Sequence, residues 1–162
     1  MNNELCIGTK QVLCTAMTRQ QYNDYRGWVM PEDETDDAGY LVEYVDGGES
    51  NHPNHKGYIS WSPSEVFHNA YRGVEYGVSM GDAIVLLKEG HKVARKGWNG
   101  KGMFLYYVPE NIYPAQTEVA KAAFGPYVSY RAYIAIKSVD GDVVPWVASQ
   151  SDLLAEDWVL VK

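Results

Sequence analysis

The longest aliphatic run in this chain is Ala83 to Leu87, and every apolar stretch around it is cut short by glycine, proline or a polar turn. Five residues are far fewer than the roughly 20 that a membrane-crossing helix requires. A chain punctuated this way can build only short strands and short helices joined by tight turns. The expected fold class is therefore α+β, with antiparallel sheets, few helices and two small domains. Its 162 residues, 46% of them apolar, suffice for real cores at that size. The opening Met1-Asn2-Asn3-Glu4 lacks the basic-then-apolar pattern of an export signal, so a cytoplasmic protein is expected. Cys6 and Cys14 would pair only if the chain doubled back, and idle or buried thiols are the expectation.

Local signals divide the chain. Val12 to Ala16 has strand character, and Thr18-Arg19-Gln20-Gln21 matches a capping box opening a helix that carries Tyr22 and Tyr25 and stops at Gly27. After the acidic loop 32–37, Tyr40 to Val45 forms a strand, Asp46-Gly47-Gly48 a turn, and Tyr58 to Trp61 a second strand. That strand leads into Ser62-Pro63-Ser64-Glu65, which combines a cap, a proline at the first helical position and a reciprocal Glu ahead of a helix with Val66, Phe67, Ala70 and Tyr71. A glycine-bearing stretch without period, Arg72 to Val78, separates an N-terminal domain, 1–76, from a C-terminal one, 77–162.

In the second half Ser79 and Asp82 frame a helix whose Met80, Ala83, Ile84 and Leu87 share one face, ended by Gly90. Lys92 to Lys96 is a short strand, Gly97 to Gly102 a glycine-rich turn and Met103 to Val108 the next strand. Within a polar insertion, Asn111 to Tyr127, a small helix spans Thr117 to Phe124. Tyr130 to Val139 and Val143 to Val147 make a hairpin across Asp140-Gly141-Asp142, and a strand from Trp158 to Val161 follows a capped turn at Ser149 to Asp152.

Charge narrows the partners. The net charge is −7, and all of the excess acid lies in the first half: residues 1–76 hold 12 acidic and 5 basic side chains, residues 77–162 nine of each. Such a surface repels a phosphate backbone, so no nucleic acid and no membrane partner is expected. Lys88, Lys92, Arg95, Lys96 and Lys101 cluster within fourteen residues. They suit either a small phosphorylated ligand or a plain solvated helix end.

Catalytic constellations are missing from the pattern. His52 and His55 share a loop, yet a zinc site needs four ligands and no further Cys or His stands near, so a polar surface loop and no metal are expected. No nucleophile elbow, phosphate loop or dinucleotide fingerprint occurs, and no cofactor is called for. The carboxylate pairs Asp140/Asp142 and Glu156/Asp157 fall where turns and caps use such residues. No catalytic residue is assigned, and a binding protein rather than an enzyme is the expectation.

Aromatic residues remain, with five Trp and thirteen Tyr. Trp158, in an apolar strand, is expected in the core. Trp98 sits in the glycine-rich turn, where Gly97 and Gly100 would let backbone approach a ligand and offer N–H groups to a phosphate. Trp146 follows Pro145 ahead of Ser149, Gln150 and Ser151. Both tryptophans suit either stacking on a planar ligand or packing in the fold.

Two runs carry a resemblance. Val93-Ala94-Arg95-Lys96-Gly97-Trp98-Asn99-Gly100-Lys101-Gly102-Met103, followed after about forty residues by Asp140 through Trp158 with Val144-Pro145-Trp146-Val147-Ala148-Ser149-Gln150-Ser151-Asp152, closely resembles the Thoeris anti-defence 2 family of phages and prophages, over residues 79–162. The resemblance implies a sponge: a protein that binds cyclic ADP-ribose isomers, which TIR-domain enzymes make from NAD, and so blocks Thoeris defence without cleaving the signal. It further implies cyclic dinucleotides of CBASS-type defence as ligands of some members, homo-oligomers, commonly tetramers, with pockets between subunits, and the host bacterial cytoplasm as the place of action. Carried over by motif position, the ligand-binding residues that the resemblance implies are Trp98, Asn99, Trp146, Ser149 and Asp152, together with Arg95 and Met103. A signal-degrading enzyme and a virion structural or protein-interaction module are the competing readings.

The chain departs from the family at Tyr133 and Ala135, where many members carry His and Asp, and these positions bear on ligand identity if they touch it. The N-terminal half resembles a module of phage proteins of unknown role through Tyr25-Arg26-Gly27-Trp28, Gly39-Tyr40-Leu41-Val42-Glu43-Tyr44 and Gly57 to Pro63.

Overall fold

The computed structural model describes residues 10–162, which form two compact units meeting in sequence at Tyr71 and Arg72. Cys6 lies outside the described residues, while Cys14 is a free, exposed thiol.

The first unit is a three-stranded antiparallel sheet, ordered β1 (Val12–Ala16), β2 (Gly39–Tyr44), β3 (Tyr58–Pro63). Helix α1 (Arg19–Arg26) starts at the expected capping box: the Thr18 side chain accepts from the Gln21 N–H, and the Thr18 N–H donates to Gln21 Oε1 at 2.9 Å. It ends at Gly27, whose φ of +69° is the left-handed cap that favours glycine. Tyr22 of α1 packs with Leu41 and Ile59 from one side of the sheet. Strand alternation sends Tyr40 to the other side, where its ring stacks on Phe67 of α2 (Ser64–Ala70) at 4.2 Å.

The start of α2 corrects the expectation. Ser62 does not cap the helix; it stays in β3, opposite Tyr40, and the helix begins after Pro63 without a side-chain cap. The strand's ladder holds Ser62 in extended geometry, and the Ser64 N–H is satisfied by the Ala38 carbonyl instead.

The second unit is a five-stranded antiparallel sheet, ordered β10-β4-β5-β8-β9: β4 (Val93–Arg95), β5 (Phe104–Val108), β8 (Tyr133–Lys137), β9 (Val143–Pro145) and β10 (Trp158–Leu160). The register pairs Val93 with Leu105 and Leu105 with Ile136, which puts these side chains on one face. Helix α3 (Met80–Lys88), with Ser79 and Asp82 as its capping box, closes that face with Met80, Ala83, Leu86 and Leu87. Trp158 is wholly buried in this core, as expected. Val78 bridges to the far side of Trp158 through two backbone hydrogen bonds of 2.8 and 3.2 Å.

The insertion holds more than a helix. Besides α4 (Glu118–Phe124), which starts at Thr117, it contains a separate ribbon of β6 (Asn111–Pro114) and β7 (Tyr127–Tyr130). Tyr130 thus ends β7, and the hairpin strand toward β9 begins only at Tyr133. Arg131 and Ala132 break the strand because the chain there passes from one sheet to another. A short helix, α5 (Gln150–Leu153), occupies the capped turn between β9 and β10, with Ser149 and Asp152 as its capping box.

Candidate functional site

The site is assembled around Trp158. Its indole N–H donates to the Asp152 carbonyl at 3.2 Å, which ties β10 to α5. Trp98 meets its ring at 5.5 Å between centroids with planes 79° apart, and Trp146 does so at 5.9 Å and 84°. Two half-buried tryptophans from distant segments therefore rest in T-shaped contact on one fully buried third. Trp146 reaches this place because β9 pairs with β8 and the Trp146 N–H extends that ladder to the Ile134 carbonyl at 2.8 Å. Trp98 reaches it because the chain turns sharply after β4, with the Trp98 N–H donating to the Arg95 carbonyl at 3.3 Å.

A charged network fixes the two loops against each other. Arg95 Nη1 donates to Asp152 Oδ1 at 3.0 Å and Nε to Asp157 Oδ1 at 2.8 Å, while Asp157 Oδ2 accepts the Gly97 N–H at 3.1 Å. Ser149 Oγ donates to Asp152 Oδ2 at 2.7 Å and lies 2.8 Å from Ser151 Oγ. Hydrogen bonding from Arg95 is the largest influence on Asp157 and holds its carboxyl below the ordinary aspartate range. At Asp152 burial, the largest single effect, pushes the pKa up, but the hydrogen bonds from Ser149, Arg95 and Trp98 together outweigh it and leave the carboxyl lowered. Arg95 is raised in turn, first by its bond to Asp157.

Five of the seven residues singled out from sequence, Arg95, Trp98, Trp146, Ser149 and Asp152, are thus brought together. Asn99 follows Trp98 on the turn and is exposed. Met103 lies under the turn, where its sulfur and Val139 fill the space that a Cβ on Gly100 would need. Gly100 is therefore small to admit Met103. Gly97 likewise makes room for the Asp157 carboxylate, 3.2 Å from where its Cβ would stand. Its N–H and that of Trp98 are both taken within the fold, which corrects the expectation for Gly97 that its backbone is open to a ligand.

Asp157 was missed by the sequence reasoning, which placed Glu156/Asp157 among turn and cap residues. The two differ: Glu156 pairs with exposed Arg72, whereas Asp157 holds both Arg95 and the Trp98 turn. Its position directly before a core tryptophan was the available signal. The cluster of cations from Lys88 to Lys101 does not converge either. Lys92 lies 5.4 Å over the Phe104 ring, Lys96 donates to the Tyr76 carbonyl, and Arg95 is committed to carboxylates.

The two departures from the family pattern fall elsewhere. Ile134 and Ile136 pack against the core that holds Trp158, so Tyr133 and Ala135, alternating with them, point to the opposite sheet face. In the first unit, His52 and His55 are engaged with protein groups. The Tyr25 ring stacks on His52 at 4.5 Å, and His55 bridges Glu43 Oε2, at 2.7 Å from Nδ1, and the Tyr25 hydroxyl, at 2.9 Å from Nε2. Glu43 also accepts the Lys56 and Gly57 N–H groups, so the histidine loop is anchored to β2.

Comparison with known proteins falls on the half that carries this site. Residues 78–161 match the model of the Thoeris anti-defense 2-like domain. The Thoeris anti-defense 2 protein of Bacillus phage SP01 is 40% identical over 87 residues, covering 52% of this chain and 94% of that relative. The family-model span, residues 78–161, includes Trp98, Trp146, Trp158, Arg95 and Asp157 of this chain, and the chain belongs, through its C-terminal unit, to the Thoeris anti-defense 2-like family.

Proposed function

We propose that the C-terminal unit sequesters NAD-derived cyclic ADP-ribose signals, such as glycocyclic ADP-ribose, made by TIR-domain enzymes, and thereby blocks bacterial Thoeris defence in the host cytoplasm without breaking the molecule. The observation that carries this reading is the pair of half-buried tryptophans, Trp98 and Trp146, held by a buried third. Part of each ring faces solvent, and stacking a base on such a ring contributes about 1–3 kcal/mol. The exposed amide of Asn99 and hydroxyl of Ser149 stand beside them as polar contacts, and the remaining turn from Asn99 to Gly102 supplies backbone groups for phosphate. Arg95, neutralised by two carboxylates, acts as a support for Trp98 and α5 rather than as a phosphate ligand.

The same network argues for binding over catalysis. Asp152 and Asp157 are engaged by Arg95, Ser149 and the Gly97 N–H, which suits them to holding the loops in place rather than to proton transfer. Exposed Val147, Leu153 and Leu154 rim the loop that carries Ser149, which supports a pocket completed by another subunit of a homotetramer. Cyclic dinucleotides offer the same planar bases and phosphates and are a second ligand class for the site.

Sequestration works by stoichiometry, so the dissociation constant must be on the order of nanomolar, about −12 kcal/mol. The test is to load the protein with glycocyclic ADP-ribose, remove free ligand by filtration, denature by heat and analyse the release by mass spectrometry. Intact ligand in stoichiometric yield is the expected result. A hydrolysed product would assign a signal-degrading enzyme, and no retention at all would leave the tryptophans as packing residues of a structural module.

A further inference from the structure

The packing that keeps residue 100 a glycine leaves a chemical weakness in the Trp98 turn. Asn99-Gly100 is the one Asn-Gly pair in the sequence. In any pair of Asn and a following residue, the second residue's backbone nitrogen can attack the Asn side-chain carbonyl carbon and close a five-membered imide. A Cβ on the second residue hinders that approach, and glycine has none. Ring closure also needs an accessible amide and a backbone that hydrogen bonds do not hold. Both conditions are met at Asn99. It is exposed and lies between β4 and β5, and among the described residues neither its side chain nor the Gly100 N–H has a hydrogen-bond partner. The preceding N–H groups of Gly97 and Trp98 are both engaged, so the turn is pinned up to Trp98 and freed after it.

The other described asparagines are protected. Asn23 is 2% exposed. The Ile59 backbone holds both ends of the Asn51 amide, at 2.9 and 2.8 Å. Asn111 Oδ1 accepts the N–H of the following Ile112 at 2.8 Å, which occupies the nucleophile. Asn69 is fixed within α2, and Asn54 precedes His55, whose side chain shields a backbone nitrogen already bonded to the His52 carbonyl.

We infer that Asn99 is a site of spontaneous deamidation that adds a negative charge to the Trp98 turn. The Gly100 nitrogen bonds to Asn99 Cγ, the Cγ–Nδ2 bond breaks, and the proton of the attacking nitrogen leaves with Nδ2 as ammonia. Water then opens the imide at one of its two carbonyls. Opening at Cγ gives aspartate, and opening at the main-chain carbon gives isoaspartate, whose backbone runs through the side chain and is longer by one carbon. The sum is amide plus water to carboxylate plus ammonium, with no enzyme, metal or oxidant. Gly100→Ala would slow the closure but meets the Met103 sulfur and Val139, so the fold retains the labile pair. On the nucleotide reading, on which this consequence rests, the new carboxylate stands where ligand phosphates are bound, and like charges there lower affinity. The turn then sets a lifetime for the site.

The experiment ages the full chain at 37 °C and pH 7.4 beside a synthetic peptide of residues 93–104, with tryptic digests followed by mass spectrometry. The segment Gly97 to Lys101 should gain the mass of an amide-to-acid exchange as two separable products. Its rate should lie within tenfold of the free peptide and at least tenfold above that at Asn54 and Asn69. Closure needs a deprotonated backbone nitrogen, so ageing at pH 5.5 should be slower, and Asn99→Gln should show no gain. A rate more than tenfold below the peptide, or no faster than at Asn54, would overturn the assignment. In calorimetry with glycocyclic ADP-ribose, aged protein and Asn99→Asp should bind at least tenfold more weakly than fresh protein. An unchanged Kd after complete deamidation would overturn the loss of affinity. Fresh protein that deamidates but never binds would sink the nucleotide reading and leave the modification standing.

Discussion

At the scale of single residues, the three tryptophans of the C-terminal unit have different duties although Trp98 and Trp146 both rest on Trp158. Trp158 is fully buried and its Ala substitution leaves a large cavity, so Trp158→Ala is expected to cost about 3–5 kcal/mol, read by chemical denaturation. Trp98 and Trp146 are half-buried, and Trp98→Ala or Trp146→Ala should cost about 1–2 kcal/mol while abolishing binding of glycocyclic ADP-ribose in calorimetry. Unfolding by either change would remove the support for the ligand reading. Asp157 belongs to the same scale. Its folded pKa is depressed, so its ion pair stabilises fully above the ordinary carboxylate pKa of about 4 and is lost as pH falls through the lowered value. Asp157→Asn should therefore be less stable than wild type at pH 7, with the gap in Tm narrowing as pH drops toward 3. A gap that stays constant across that range would show the Arg95 pair to be without effect.

Elements whose signals are local were legible from sequence. Three helices begin at the Ser or Thr read as a cap, Thr18, Ser79 and Ser149, because each side chain needs only a partner three residues on. Ser62 failed as a cap for the converse reason: its conformation is set by Tyr40 across the sheet, a partner twenty-two residues away. The β6–β7 ribbon was missed because the ends of the insertion carry no alternation that would mark them, and they become strands only by finding each other. The glycine-rich turn was recognised as an element, but the purpose of its glycines was not, since it depends on Met103 and Asp157 filling the vacated space. Gly100→Ala should accordingly destabilise by about 1–3 kcal/mol through overlap with the Met103 sulfur and Val139. The paired change Gly100→Ala/Met103→Ala should recover part of that loss, and thermal unfolding of the three proteins decides it.

For the whole molecule, the family match, residues 78–161, lies entirely within the second unit. The phage relative is matched over 94% of its own length by only 87 residues of this chain, and the family model needs only residues 78–161, so the family's domain is specified without the first unit. Residues 72–162 expressed alone are expected to fold and to bind glycocyclic ADP-ribose with a Kd within about threefold of the full chain, a difference of less than about 0.7 kcal/mol. A fragment that folds but binds far more weakly would assign part of the site to the acidic half. The sequence by itself determined the fold class, most helix starts and the two motif runs that mark the family, because capping, turn chemistry and period act over a few residues. Only the tertiary structure decided that Arg95 is spent on Asp152 and Asp157, that Tyr133 and Ala135 turn away from the tryptophans, and that most side chains of β6, α4 and β7 are exposed on the single chain. Each of these depends on which strands pair and in what register, and a register shift of one residue would exchange the two faces of the sheet.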